Sequence, residues 1–207
     1  MKTKHMKTKQ LISMMFGCLA ALCVTSCLDS DDNNNNSSNT LSKAQIAQCF
    51  TTVKGDYTGD LLYLAKSEDG LTEKVDTLVG KWSIPTDSTL IISNFPAKVL
   101  AELVSHAGLK KALAEAPNQD VMCKTRYVNV SPVQFLVSPR TLEYDLFFDG
   151  GTHKVHIMFY GENTYSFGSF DAESSEMMVK IIPAYLYVDE KMTNHLTQSQ
   201  VIFLGKR

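Results

Sequence analysis

No basic stripe with interleaved aromatics runs through this chain, so nothing in it would neutralise the phosphates of a nucleic acid. A basic amphipathic helix is also missing, which excludes membrane binding by surface charge alone. The two closest histidines, His153 and His156, have no Cys, Asp or Glu around them at ligand spacing. In a strand, moreover, side chains three apart point to opposite faces. His106 and His195 have no evident partner in the sequence, and no histidine is placed as a general base. No residue is therefore singled out as catalytic, cofactor-binding or metal-ligating, and no cofactor is implied. Cysteine is scarce in the body, where only Cys49 and Cys123 stand after Cys27. An oxidising compartment permits that pair to bridge, and two buried free thiols are the default.

What the chain does have is concentrated at its start. Lys2, Lys4, Lys7 and Lys9 precede an uncharged apolar stretch, Leu11 to Val24. At fourteen residues this stretch is too short to cross hydrocarbon, which takes roughly 17 to 25. It is followed by Val24-Thr25-Ser26-Cys27, small residues that let a signal peptidase approach the backbone before a cysteine. This is the layout of a secretory signal ending in a lipidation site. Residues 1–26 are read as the signal peptide and Cys27 as the lipid-bearing N-terminus of the mature protein. Four lysines leave with the signal and no acidic residue does, so the formal charge moves from −2 to about −6.

The processing site resembles that of bacterial lipoproteins. The acidic run after it, Asp29, Asp31 and Asp32, resembles the surface-export signal of Bacteroidota lipoproteins, and Leu28 beside Cys27 leaves outer-membrane delivery open. The resemblance implies a lipid-anchored cell-envelope protein. Residues 27–40 also read as a solvated tether, because Asn33 to Asn39 is too polar to bury a core.

From Leu41 to Arg207 the sequence has the size of one domain. Leu41, Ala44, Ala47, Phe50 and Val53 recur on one helical face, with Thr40 or Ser42 as its cap, and Gly55 stops it. Tyr57 to Ala65 and Glu73 to Ile84 read as strands around an Asp69-Gly70 hairpin turn. Thr89 to Ser93 is a third strand. A helical insertion follows near 96–116, with Val99, Leu100, Leu103, Val104 and Ala107 on one face; Gly108 breaks or kinks it, and Leu109, Ala112 and Leu113 continue to a stop at Pro117. Further strands are expected at 127–130, 133–137, 142–148, 153–160, 164–167, 179–188 and 199–204. Asp149-Gly150-Gly151 is a second hairpin turn, while Pro132 and Pro183, lacking an amide hydrogen, mark breaks, edges or bulges. The fold class is mainly β (α+β), an antiparallel meander of about 8–10 strands closing into a barrel or sandwich.

Gly55-Asp56-Tyr57-Thr58-Gly59-Asp60-Leu61, placed after a short helix, resembles the first strand of calycin-like barrel lipoproteins of Bacteroidota. The overall layout resembles lipoprotein families of unknown function from Bacteroides, which supply no catalytic residues. The helical insertion departs from a plain eight-stranded barrel and sets a lipocalin-style cavity in question.

Several surface features compete with blander accounts. Ser67-Glu68-Asp69 and Asp171 to Glu176 are acidic loops without the regular spacing of a calcium site, and read first as solvated turns. Tyr185 and Tyr187 share a strand face, where they form either a carbohydrate platform or half-buried packing. Thr77 and Ser88 lie in triplets resembling Bacteroides O-glycosylation sites. The expected function is that of an envelope lipoprotein, a non-enzymatic binding module for a small molecule, glycan or protein partner. A hydrolase of glycan or lipid with dispersed carboxylates, or a structural subunit of a surface complex, is the alternative.

Overall fold

The computed structural model describes residues 40–66, 73–161 and 165–207. The chain runs α1 (Lys43–Val53), β1 (Gly55–Lys66), β2 (Glu73–Thr86), β3 (Thr89–Phe95), α2 (Ala97–Glu102), α3 (Ala107–Ala114), β4 (Gln119–Val130) and β5 (Val133–Pro139). It continues through β6 (Leu142–Phe148), β7 (Gly151–Phe159), β8 (Phe167–Asp171), β9 (Glu176–Ile181), β10 (Pro183–Val188), β11 (Lys191–Thr193) and β12 (Val201–Lys206). Eight strands close into an antiparallel barrel in the order β1-β12-β9-β8-β5-β4-β3-β2. The other four form a second sheet, β11-β10-β7-β6.

The architecture is a meander that leaves the barrel twice. After β5 the chain departs as the β6–β7 hairpin and returns as β8; after β9 it departs as β10–β11 and returns as β12. The two excursions pair with each other through β7 and β10. Pro183 marks the second exit. It carries no amide hydrogen for the barrel ladder, and the register shifts between Pro183 and Tyr185. The strand expected over 179–188 is therefore two strands in two sheets. The strand expected from 164 begins instead at Phe167 and runs to Asp171.

Alternation fills the barrel interior. Trp82 lies at its centre, stacked on Tyr57 at 5.7 Å between centroids and 7° between planes. Phe203 meets the indole edge-on at 5.7 Å, and the indole Nε1–H donates to Met177 Sδ at 3.4 Å. Leu61, Ile92, Val121, Phe135, Phe170 and Val179 complete a buried core. Outward positions such as Asp56, Asp60, Lys81, Lys124 and Arg126 are exposed charges. Apolar inside and charged outside is the reverse of a membrane-spanning barrel. No helix among the described residues is long and apolar enough to cross a membrane.

The helix α1 is fastened to the barrel by its last turn. Ser42 opens it with a capping box shared with Gln45. The Tyr57 hydroxyl donates to the Val53 carbonyl at 2.6 Å, and Arg207 donates to the Lys54 carbonyl at 3.1 Å. The helical insertion breaks earlier than Gly108. Val104 bridges to Leu196, and His106 restarts the helix as an N-cap whose Nδ1 accepts from the Leu109 amide. Gly108 lies inside α3, where a Cβ would come within 2.8 Å of the Asp149 side-chain oxygen at the β6–β7 turn. Its role is close approach, not a break.

Burial sets an alkaline limit on this fold. Loss of water pushes the Cys123 thiol up to about 12 and the Tyr144 hydroxyl up to about 12. Tyr63 is raised to about 12 by burial, reinforced by its hydrogen bond to Asp76, and burial raises Tyr127 as well. The hydroxyls of Tyr127 and Tyr144 find no hydrogen-bond partner among the described residues. Unfolded thiols and tyrosines ionise near 8.5 and about 10. Folded values lie above unfolded ones, so this stabilisation is complete below those unfolded values and is lost as pH climbs towards 12. Circular dichroism should therefore collapse in that range together with a cooperative rise in tyrosinate absorbance. Simple titration of these tyrosines near pH 10 in a native fold would contradict the burial.

Candidate functional site

The barrel interior is occupied by side chains, and the second sheet carries a groove lined by polar and charged residues. One of its faces is buried, by Leu142, Tyr144, Leu146, Val155, Ile157 and Leu186. Period-two alternation then places the intervening residues on the open face. Strand register sets them in rows. Glu143 lies opposite His156, His156 opposite Tyr187, and Tyr187 opposite Met192. Asp145 lies opposite Lys154 in the next row, and Met158 opposite Tyr185 on the other side. A groove of about 680 Å³ runs along this face, lined by Glu143, Asp145, Lys154 and His156 together with Asp189 and Glu190.

The rim of the groove is the β10–β11 turn. Asp189 and Glu190 both have positive φ, 48° and 66°, a conformation that L-residues other than Asn and Asp rarely adopt. Local bonds hold it: Asp189 accepts from His153 Nδ1 at 2.7 Å and from the Lys154 amide at 3.0 Å. The hydrogen bond from His153 is the main reason the Asp189 carboxyl lies below its usual range. His153 also packs on Phe148, with centroids 4.4 Å apart. On the other side of Phe148, His106 Nε2 meets Asp149 at 3.3 Å, and its ring is 5.1 Å from His195. Because His106 Nδ1 accepts the helix-capping bond, its proton sits on Nε2 and faces Asp149. His106 and His153 thus each acquire an aspartate through tertiary structure, Asp149 and Asp189.

His153 and His156 do take opposite faces, the first under the turn and the second in the groove. Among the described residues no group of three or more His, Cys, Asp or Glu could hold a metal ion. Cys49 and Cys123 are two free, buried thiols, the default of the sequence reading, and the alternative disulfide is not formed. The Cys49 thiol reaches the Asn129 carbonyl on β4 at 3.7 Å, and Cys123 lies six residues earlier on that strand. At about 3.3 Å per residue that separation is roughly 20 Å, far beyond disulfide reach.

Thr77 is an exposed strand residue and Ser88 is exposed at the β2–β3 turn, so both hydroxyl positions are on the surface. Asp171 closes the β8–β9 turn by accepting from the Ser174 hydroxyl and the Glu173 amide, both at 2.9 Å. Its carboxyl is held low chiefly by the Ser174 bond, which makes it a turn residue. Cys27, Asp29, Asp31, Asp32 and the segment Ser67 to Gly70 lie outside the described residues.

Sequence reasoning did not single out Glu143, Asp145, Lys154, Asp189 or Glu190. The first three carried a usable signal, since acidic residues two apart on one hairpin strand and a basic residue with His156 two apart on the other must share a face. Asp189-Glu190 carried none, because the turn has no glycine.

Residues 52–188 match the sequence profile described as domain of unknown function (DUF4840), a span well over half of the chain. The chain belongs to the DUF4840 family. No curated protein and no solved structure matches it. The DUF4840 span runs from the end of α1 through β10 and so includes the groove-forming strands β6, β7 and β10. It stops before β12, the strand that closes the barrel between β1 and β9.

Proposed function

We propose that this DUF4840 protein is an envelope lipoprotein, anchored through Cys27, whose body is a non-enzymatic binding module that meets its partner on its outer surface. The observation that carries the reading is the filled barrel. Tyr57, Trp82, Phe135, Phe170 and Phe203 occupy the space where a barrel of this size would hold a small ligand. A ligand must therefore engage an outer face, and the second sheet presents both rings and charges there. Asp29, Asp31 and Asp32 would address the anchored protein to the outer membrane and cell surface, and Thr77 and Ser88 are positions where a glycan would be accessible.

Glu143, Asp145, Asp189 and Glu190 around one groove also favour a second reading, a glycan hydrolase. Such an enzyme needs one carboxyl kept protonated near neutrality. Asp189, the carboxylate fixed at 2.7 Å by His153, is driven the other way. Asp189 is therefore not that acid, and the binding reading rests on the filled barrel, which sends any ligand to an outer face.

In a bacterial host that processes lipoproteins, the protein should sediment with membranes, and Cys27→Ser should release it to the soluble fraction. A Cys27→Ser protein that still partitions with membranes would remove the anchor from this reading.

A further inference from the structure

We propose that the open face of the second sheet is a binding site for a neutral carbohydrate, with sugar rings stacked on Tyr185 and Tyr187 and hydroxyls bonded in the adjoining groove. The inference rests on the reading of the body as a binding module. Three features of the face select this ligand.

The rings come first. Tyr185 is 43% exposed although it lies on a sheet whose other face is packed, and Tyr187 follows two residues later on the same face, roughly 7 Å along the strand. Tyr185 is also braced from the side. Its centroid is 6.1 Å from Tyr160, and Tyr160 packs at 4.9 Å on Tyr165. A braced ring loses little freedom when a flat partner settles on it. The apolar face of a pyranose is such a partner.

The second feature is continuity between rings and polar groups. Tyr187 is the direct cross-strand neighbour of His156, and His156 of Glu143. One row across three strands therefore passes from an aromatic ring to a two-way hydrogen-bonding group and then to a carboxylate acceptor. Asp145 and Lys154 face each other in the next row, and the described residues show no ion pair between them. Vicinal hydroxyls donate and accept at once, so they can bond to the carboxylates and accept from Lys154.

The third is charge. Four carboxylates line the groove against Lys154 and His156. That balance repels uronates, phosphates and nucleic acids. A lysine-rich peptide would gain from the carboxylates and would meet Lys154 in their midst. A neutral, hydroxyl-rich ligand meets neither objection.

The test titrates the full chain in detergent with neutral oligosaccharides of glucose, mannose, xylose and N-acetylglucosamine, with polygalacturonate, and with oligolysine. Binding is followed by calorimetry, and the fold by circular dichroism. At least one neutral oligosaccharide should bind, Tyr185→Ala should weaken it about tenfold at unchanged fold, and Tyr185→Phe should restore it. Glu143→Gln should weaken the same sugar. If no neutral sugar binds, or binding is indifferent to both Tyr185→Ala and Glu143→Gln, the proposed site is wrong. Oligolysine or polygalacturonate binding in place of neutral sugars overturns the ligand class and leaves the surface-binding reading standing. The anchor is tested separately by Cys27→Ser, so failure here does not touch it.

Discussion

Gly59→Val is expected to prevent the barrel from closing, with loss of cooperative unfolding and of native circular dichroism. Gly59 lies opposite Gly205 on β12 and opposite Gly80 on β2, so three strands carry glycine in one row. A Cβ on Gly59 would overlap the Leu204 carbonyl and the Gly205 Cα, which are main-chain atoms of the strand that closes the barrel. A side chain can turn aside, whereas these atoms can move only if β12 moves. Overpacking in a core costs typically about 1 to 3 kcal/mol, and displacing a closing strand should exceed it, against a total stability of roughly 5 to 15 kcal/mol. Gly59→Ala should already lower the urea midpoint. Gly168→Ala provides the contrast, because its Cβ would meet the Phe135 ring, a side chain, and the cost should be smaller. Equal midpoints for Gly59→Ala and the parent protein would show that β1 and β12 do not approach this closely.

Trp82→Ala should cost about 3 to 5 kcal/mol, the range for deleting a large buried aromatic. The indole is 1% exposed and touches Tyr57, Phe203 and Met177, which come from three other strands. Its removal leaves a void at the barrel centre that rigid strands cannot collapse to fill. The urea midpoint should fall with little change in the dependence on denaturant, because the surface exposed on unfolding is nearly the same. Trp82→Phe should recover part of the loss. A cost under about 1 kcal/mol for Trp82→Ala would mean that the barrel is not packed around this ring.

These two positions also explain the short glycine-tyrosine stretch that marks the first strand. Gly55 has φ +134° where α1 turns into the barrel. Tyr57 stacks on Trp82 and donates to the last turn of α1, and Gly59 admits β12. Gly55, Tyr57 and Gly59 each meet a separate steric or hydrogen-bonding demand, which is why the motif could be noticed in the sequence before any partner was known.

Much of the fold was legible because its signals are local. The α1 capping box and the Asp149-Gly150 turn each follow from a few adjacent residues. The expected strand Leu142 to Phe148 appears with the same bounds, because period-two alternation survives where one face is buried. Elements without a local signal were missed or misplaced. The three-residue strand β11 follows a turn with no glycine, and Pro183, legible as a break, edge or bulge, does not by itself reveal that another sheet waits beyond it. The candidate groove was visible only in fragments, since its residues come from β6, β7 and the β10–β11 turn.

By itself the sequence determined an acidic body of mainly β character and a set of strands, and raised the expectation of a lipidated start, because charge, apolar length and alternation are properties of neighbouring residues. Only the tertiary structure decided that the meander leaves its barrel twice, that the barrel is filled around Trp82, and that Tyr185, His156, Glu143 and Lys154 share one face. Those outcomes depend on which strands pair across long separations. Pairing is chosen by the burial of whole faces, a collective quantity that no short stretch of chain contains.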